Sequence, residues 1–192
     1  MKLKICGIKS LQDLLFCIDS NVDYVGINFC YSSKRFVKYG DVLEKINSIN
    51  LQKTKLVAVF CNNSFTEIEE IINKYNFKII QFSSKYTDRE MIKISNKCEL
   101  WQAVNVDCYN EYQNLCHKFL FDSSHGQGKL LNQKIPESIN KKYGIAGGIS
   151  VENISKMLLS NQNADFFDIA SGVESDGKFS LEKLQKIVQL IK

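Results

Sequence analysis

Ile145-Ala146-Gly147-Gly148 is a short apolar run that breaks into a glycine pair. Farther along, Asp168-Ile169-Ala170-Ser171-Gly172 repeats the arrangement with Ser-Gly in place of the pair. Near the start, Lys4-Ile5-Cys6-Gly7-Ile8 sets a thiol before its glycine. Each has the length and apolar content of a buried strand, and each stops at small or polar residues suited to a turn. Polar groups gathered at one end of several such strands describe a parallel sheet whose C-terminal edge carries the chemistry.

Outward from these stretches, the chain keeps one rhythm. Strands are predicted at Leu3–Ile8, Tyr24–Phe29, Lys55–Cys61, Lys78–Phe82, Leu100–Val106, Lys118–Asp122, Tyr143–Ala146 and Phe166–Ala170. Between them, Leu11–Ile18, Val42–Ile49, Thr66–Tyr75, Arg89–Asn96, Cys108–His117, Val151–Leu159 and Leu181–Ile191 carry apolar residues at helical spacing. Gln133–Lys141 reads as a further short helix, with Pro136 suited to its first turn. Strict alternation implies parallel strands joined by crossover helices. An open doubly wound sheet is the alternative, but eight units favour closure, and G-x-G-x-x-G is missing after the first strand. The expected fold is α/β, one (βα)8 barrel spanning residues 1–192, with no linker or charge block to mark a boundary.

Composition narrows the function classes. The formal charge of +4 comes from 25 basic and 21 acidic residues scattered along the chain, which argues against a nucleic-acid partner. No apolar run approaches the ~20 residues of a membrane span. The cysteines, seven in number, include no C-x-x-C pair, and no secretory segment precedes them, so free thiols in the cytoplasm are expected. With only His117 and His125 available, a His-rich metal site is not expected.

The candidate site residues follow from the strand ends. Cys6 closes the first strand, Arg35 follows the second, Gln81 lies in the fourth and Asp122 closes the sixth. Gly147-Gly148 leads toward Ser150, a candidate helix cap, and Ser171-Gly172 offers a second set of backbone N–H groups after the neighbouring strand. Adjacent N–H groups attract a phosphate dianion without needing lysine. Either turn alone is equally well read as a tight bend; the two together favour a phosphorylated small-molecule substrate.

The order and spacing of several short motifs then carry a resemblance. They are Lys4-Ile5-Cys6-Gly7-Ile8, Ser33-Lys34-Arg35, Val57–Asn62, Phe121-Asp122-Ser123, Gly126-Gln127-Gly128-Lys129, Ala146-Gly147-Gly148-Ile149 with Glu152-Asn153, and Asp168–Glu174. Together they resemble the phosphoribosylanthranilate isomerase family of tryptophan biosynthesis. The resemblance implies a cofactor-free Amadori rearrangement of N-(5-phosphoribosyl)anthranilate to 1-(o-carboxyphenylamino)-1-deoxyribulose 5-phosphate. It makes Cys6 the general base and Asp122 the general acid. It sets Arg35 against the anthranilate carboxylate and Asp168 near the bridging amine, with Gln81, Gly126, Gly128, Gly147, Gly148, Ser171 and Gly172 among the substrate-binding positions. Either a monomer or a homodimer is compatible with it.

Three departures from the family pattern stand out. Gln81-Phe82-Ser83-Ser84 replaces Gln-Leu-His-Gly, His125-Gly126-Gln127-Gly128 replaces Gly-Gly-Thr-Gly, and Ala170-Ser171 replaces a double serine. Other sugar-phosphate enzymes of the same scaffold, and a barrel kept only as an interaction partner, are the competing readings. Retention of Cys6, Arg35 and Asp122 speaks against the second.

Overall fold

The computed structural model describes residues 1–38, 40–122 and 135–192. Eight parallel strands close into a barrel: β1 (Lys2–Cys6), β2 (Tyr24–Asn28), β3 (Lys55–Phe60), β4 (Ile79–Phe82), β5 (Glu99–Val104), β6 (Lys118–Phe121), β7 (Tyr143–Ala146) and β8 (Phe166–Ile169). Closure is made by β1 on β8, with Lys4 opposite Asp168 and Ile5 opposite Ile169. The helices are α1 (Leu11–Asp19), α2 (Asp41–Lys45), α3 (Phe65–Tyr75), α4 (Asp88–Ser95), α5 (Ile154–Ser160) and α6 (Leu181–Ile191). Their starts follow local rules. Ser10, Ser64, Thr87 and Ser180 each accept a backbone N–H from the first turn, and Thr87 with Glu90 completes a capping box.

Alternation along each strand sorts side chains between two cores. Leu3, Ile5, Ala58, Phe60, Ile80 and Phe82 face the helices. Residues in register between them face the barrel axis, where Tyr24, Trp101 and Phe166 form a mutually packed aromatic plug with ring centroids 4.7–5.7 Å apart. Gly144 makes room for it: a Cβ there would lie 2.3 Å from the Phe166 ring. Lys118 lies over the Tyr24 and Trp101 rings and pairs with Glu99 and Asp165. The N-terminal end of the barrel is therefore filled, and the interior opens at the C-terminal end.

Several expected elements are corrected. The predicted helix over Cys108–His117 is a single 3-10 turn, Tyr109–Tyr112. Such a turn stacks positions i and i+3, so Tyr109 and Tyr112 both bury without a longer helix. The predicted Val42–Ile49 helix ends at Lys45. The one predicted from Val151 begins at Ile154, because the preceding residues form a turn on the Ser150 carbonyl. Residues 135–141 hold a turn at Pro136 rather than a helix, and positions 133 and 134 lie outside the described residues. A second, two-stranded sheet was not anticipated: β9 (Glu174–Ser175) and β10 (Lys178–Phe179) form a hairpin just after β8, turned by Asp176 and Gly177 in left-handed backbone. Among the described residues no helix is long and apolar enough to cross a membrane.

Candidate active site

A cavity of about 750 Å³ occupies the open end of the barrel. Cys6, Gln81 and Asp168 line its wall, with Arg35, Asp122 and Ser171 around its mouth, so strand ends far apart in sequence converge as expected. Gly147 and Gly148 also line it, whereas Gly172 does not. Gly126 and Gly128 lie outside the described residues.

The charge arrangement begins with β1, whose period of two puts Lys4 and Cys6 on the same inner face. Register with β8 brings Asp168 across from Lys4, and the ammonium Nζ lies 2.8 Å from Asp168 Oδ2. Lys4 also acts electrostatically on the Cys6 thiol on the same face. Gly26 of β2 is what lets this group pack. A Cβ there would come within 2.8 Å of Cys6 Sγ and 3.3 Å of Lys4 Nζ. A buried ammonium needs partners, and here Asp168 and Cys6 outweigh the cost of burial and hold Lys4 protonated. Burial pushes the Cys6 thiol above its ordinary range, with the Asp168 carboxylate adding to the rise, while Lys4 and Arg35 oppose it. Burial likewise pushes Asp168 up; Asp122 reinforces the rise, and Lys4 and Arg35 oppose it. Asp168 Oδ1 and Gln81 Oε1 are buried acceptors with no hydrogen-bond partner among the described residues.

Arg35 is reached through a shaped loop. Asn28, at the end of β2, donates to Ser33 Oγ and accepts the Cys30 N–H, and Ser33 Oγ in turn accepts the Arg35 N–H. The arginine stem crosses Gly7, whose φ of +84° and lack of Cβ both matter, since a Cβ would sit 2.1 Å from Arg35 Cδ. The guanidinium pairs with Glu174 through Nε and Nη2 at 2.7 and 2.9 Å. Sequence reading did not single out Glu174 as a partner; the two residues are 139 positions apart.

The two glycine turns meet. Gly147 and Gly148 have φ of +98° and +60°, backbone that favours glycine. Asn153 clamps this turn by donating to the Gly148 carbonyl and accepting the Ser150 N–H. Ser150 is therefore not the helix cap; its hydroxyl is engaged by Glu152, and Asn153 occupies the cap position of α5. On the neighbouring strand end, Ser171–Val173 forms a 3-10 turn. A Cβ on Gly172 would lie 2.0 Å from the Ile149 carbonyl, so only glycine allows the turns after β7 and β8 to touch.

Comparison with known proteins places this geometry. The family model described as N-(5'-phosphoribosyl)anthranilate (PRA) isomerase matches residues 3–190. The chain belongs to the N-(5'-phosphoribosyl)anthranilate isomerase family. The family's Bacillus subtilis member is 29% identical over 206 residues, covering 98% of this chain and 92% of that protein. Among solved structures, the Thermus thermophilus phosphoribosyl anthranilate isomerase superposes with a TM-score of 0.83 at 21% identity, covering 100% of this chain and 98% of that one. A phosphoribosyl anthranilate isomerase in complex with reduced 1-(o-carboxyphenylamino)-1-deoxyribulose 5-phosphate gives 0.76 at 20% identity, covering 98% and 97%. These two likenesses establish the shared barrel.

Two departures from the isomerase family pattern now have a setting. Ser83 lines the cavity and accepts a hydrogen bond from Gln81 Nε2 at 3.4 Å, and Ala170 lines the wall beside Ser171. The third, at 125–128, lies outside the described residues. Cys30 and Cys61, at the ends of β2 and β3, lie side by side with Cα atoms 5.1 Å apart. Both line the cavity. Asn63 ties the same strand ends together by donating to the Phe29 carbonyl and accepting the Cys61 N–H.

Proposed function

We propose that this isomerase binds N-(5-phosphoribosyl)anthranilate across the open end of the barrel and rearranges it with Cys6 as general base and Asp122 as general acid. Residues 1–192 act as one catalytic unit in this reading, and the enzyme works in the cytoplasm on a small phosphorylated substrate. The observation that carries the assignment is the convergence, in one cavity, of a thiol, two carboxyl groups and a guanidinium opposite two abutting glycine turns.

The substrate's chemistry matches these groups one by one. Its phosphate suits the backbone N–H groups of the turns at Gly147-Gly148 and Ser171-Gly172. Its aromatic carboxylate suits Arg35, whose planar fork binds such a group bidentately. Its bridging amine is a donor, and Asp168 Oδ1 is a buried acceptor that lacks one among the described residues.

In the first step, Asp122 gives a proton to the furanose ring oxygen as its bond to C1 breaks, and the amine lone pair forms the C1=N bond. Cys6 thiolate then takes the proton from C2, and the electron pair moves to give an enolamine. Proton transfer to C1 and loss of the hydroxyl proton at C2 yield the ketone, so the product is an isomer of the substrate. Lys4, against both Cys6 and Asp168, lowers the cost of the thiolate that the second step requires. Complementation of a tryptophan auxotroph lacking this isomerase tests the proposal. Growth with the native gene and none with Cys6→Ala supports it; failure of the well-expressed native chain to support growth contradicts it.

A further inference from the structure

The Arg35 guanidinium has one set of partners among the described residues, the two carboxylate oxygens of Glu174. They occupy the Nε–H and one Nη2–H. A guanidinium carries five N–H donors in a fixed plane, and among the described residues no other partner is found for both Nη1 hydrogens and the second Nη2 hydrogen. That remaining edge is itself a two-pronged fork, and Arg35 lines the substrate cavity. Gly7 fixes the aliphatic stem, but a stem contact leaves the planar head free to rotate. Glu174 removes that freedom.

Glu174 is itself rigidly placed. It opens the β9–β10 hairpin, paired with Phe179, and its carbonyl accepts from Lys183 Nζ at 2.6 Å. The Ser180 N–H closes back on the Val173 carbonyl beside it, and the Phe179 ring stacks on Phe16 of α1. The small sheet after β8 therefore holds the Glu174 carboxylate against Arg35.

We infer that Glu174 is a positioning residue for substrate selection: by holding the Nε edge of Arg35, it aims the distal edge at a carboxylate on the substrate's aromatic ring. The inference rests on the reading of Arg35 given above. Glu174 sets the preference for carboxylated over uncarboxylated phosphoribosyl arylamines without touching the reacting atoms.

The test compares two inhibitors, reduced 1-(o-carboxyphenylamino)-1-deoxyribulose 5-phosphate and its counterpart lacking the ring carboxylate. Both are measured against the native enzyme, Arg35→Ala, Glu174→Ala and Glu174→Gln. Loss of one ordered, charge-assisted contact is worth about tenfold in affinity. Glu174→Ala is expected to weaken the carboxylated inhibitor by about that factor and leave the other within about twofold. Glu174→Gln, which keeps one acceptor for Nε, should recover part of the loss. In turnover, KM should rise while kcat stays close to native. Equal weakening of both inhibitors, no change in either, or tighter binding of the carboxylated one overturns the inference. If Arg35→Ala itself fails to discriminate between them, the reading of Arg35 fails first, and the two failures are told apart.

Discussion

Lys4 and Asp168 form an ion pair of 2.8 Å inside the barrel, with the lysine side chain fully shielded and that of the aspartate 7% exposed. The pair abuts the Cys6 thiol, so the positive charge serves two neighbours. Breaking such a pair from one side strands the other charge at about 3–5 kcal/mol. For a chain of this size Lys4→Met should therefore lower the melting temperature by on the order of 10 °C. Lys4→Met combined with Asp168→Asn should regain part of that stability without regaining activity. Thermal melts and initial rates on the two variants check both halves.

The same pair sets a pH dependence. With Cys6 as the proposed base, kcat/KM should rise with pH as the thiol deprotonates, and burial places that rise above the ordinary thiol range. A cation favours the thiolate, so replacing Lys4 with a neutral side chain must move the limb to higher pH. Asp168 lies on the other side of the balance, and Arg35 sides with Lys4. The rate of Cys6 alkylation against pH, followed by mass spectrometry of the residue 6 peptide, reads this shift without relying on turnover. An unmoved limb in Lys4→Met would show that the ammonium does not tune the thiol.

Arg35→Lys should be poorly tolerated, because an ammonium can satisfy neither Glu174 nor an aromatic carboxylate bidentately. KM should rise by an order of magnitude or more, roughly the worth of one charge-assisted contact, in steady-state assays. Unchanged kinetics for Arg35→Ala would make this arginine a surface residue held by Glu174 for structural reasons.

The phosphate reading predicts that Gly148→Val raises KM far more than it lowers kcat. Its φ of +60° also makes any β-branched side chain strained there. A crystal of the enzyme grown with inorganic phosphate should show the anion against Gly147, Gly148 and Ser171. Phosphate bound elsewhere in the cavity, with nothing at these turns, would refute it.

Much of the barrel was readable from apolar runs because a strand buried on both faces is short, continuous and stopped by turn residues. The order of strands and their inner faces follow from those runs by alternation. Cys6, Asp122, Asp168 and the two glycine turns were readable for the same reason, since each sits where a run ends. Contacts across the mouth were not. Arg35 with Glu174 and Cys30 with Cys61 depend on which strand ends become neighbours, and the β9–β10 hairpin is too short to leave a period. Tyr109 and Tyr112 look helical because a 3-10 turn and an α-helix share the i, i+3 spacing. Lys4 was legible in principle, two residues before Cys6 and thus on its face, but its partner emerged only from the β1–β8 register.

The central claim is that Cys6 and Asp122 move the protons. The decisive measurement is kcat at saturating substrate for Cys6→Ser and Asp122→Asn, alongside the affinity of each variant for reduced 1-(o-carboxyphenylamino)-1-deoxyribulose 5-phosphate. Positioned acid–base groups contribute ~10²–10⁴-fold, so both variants should lose turnover on that scale while holding the inhibitor nearly as tightly as the native enzyme. Near-native turnover in either one would contradict the assignment.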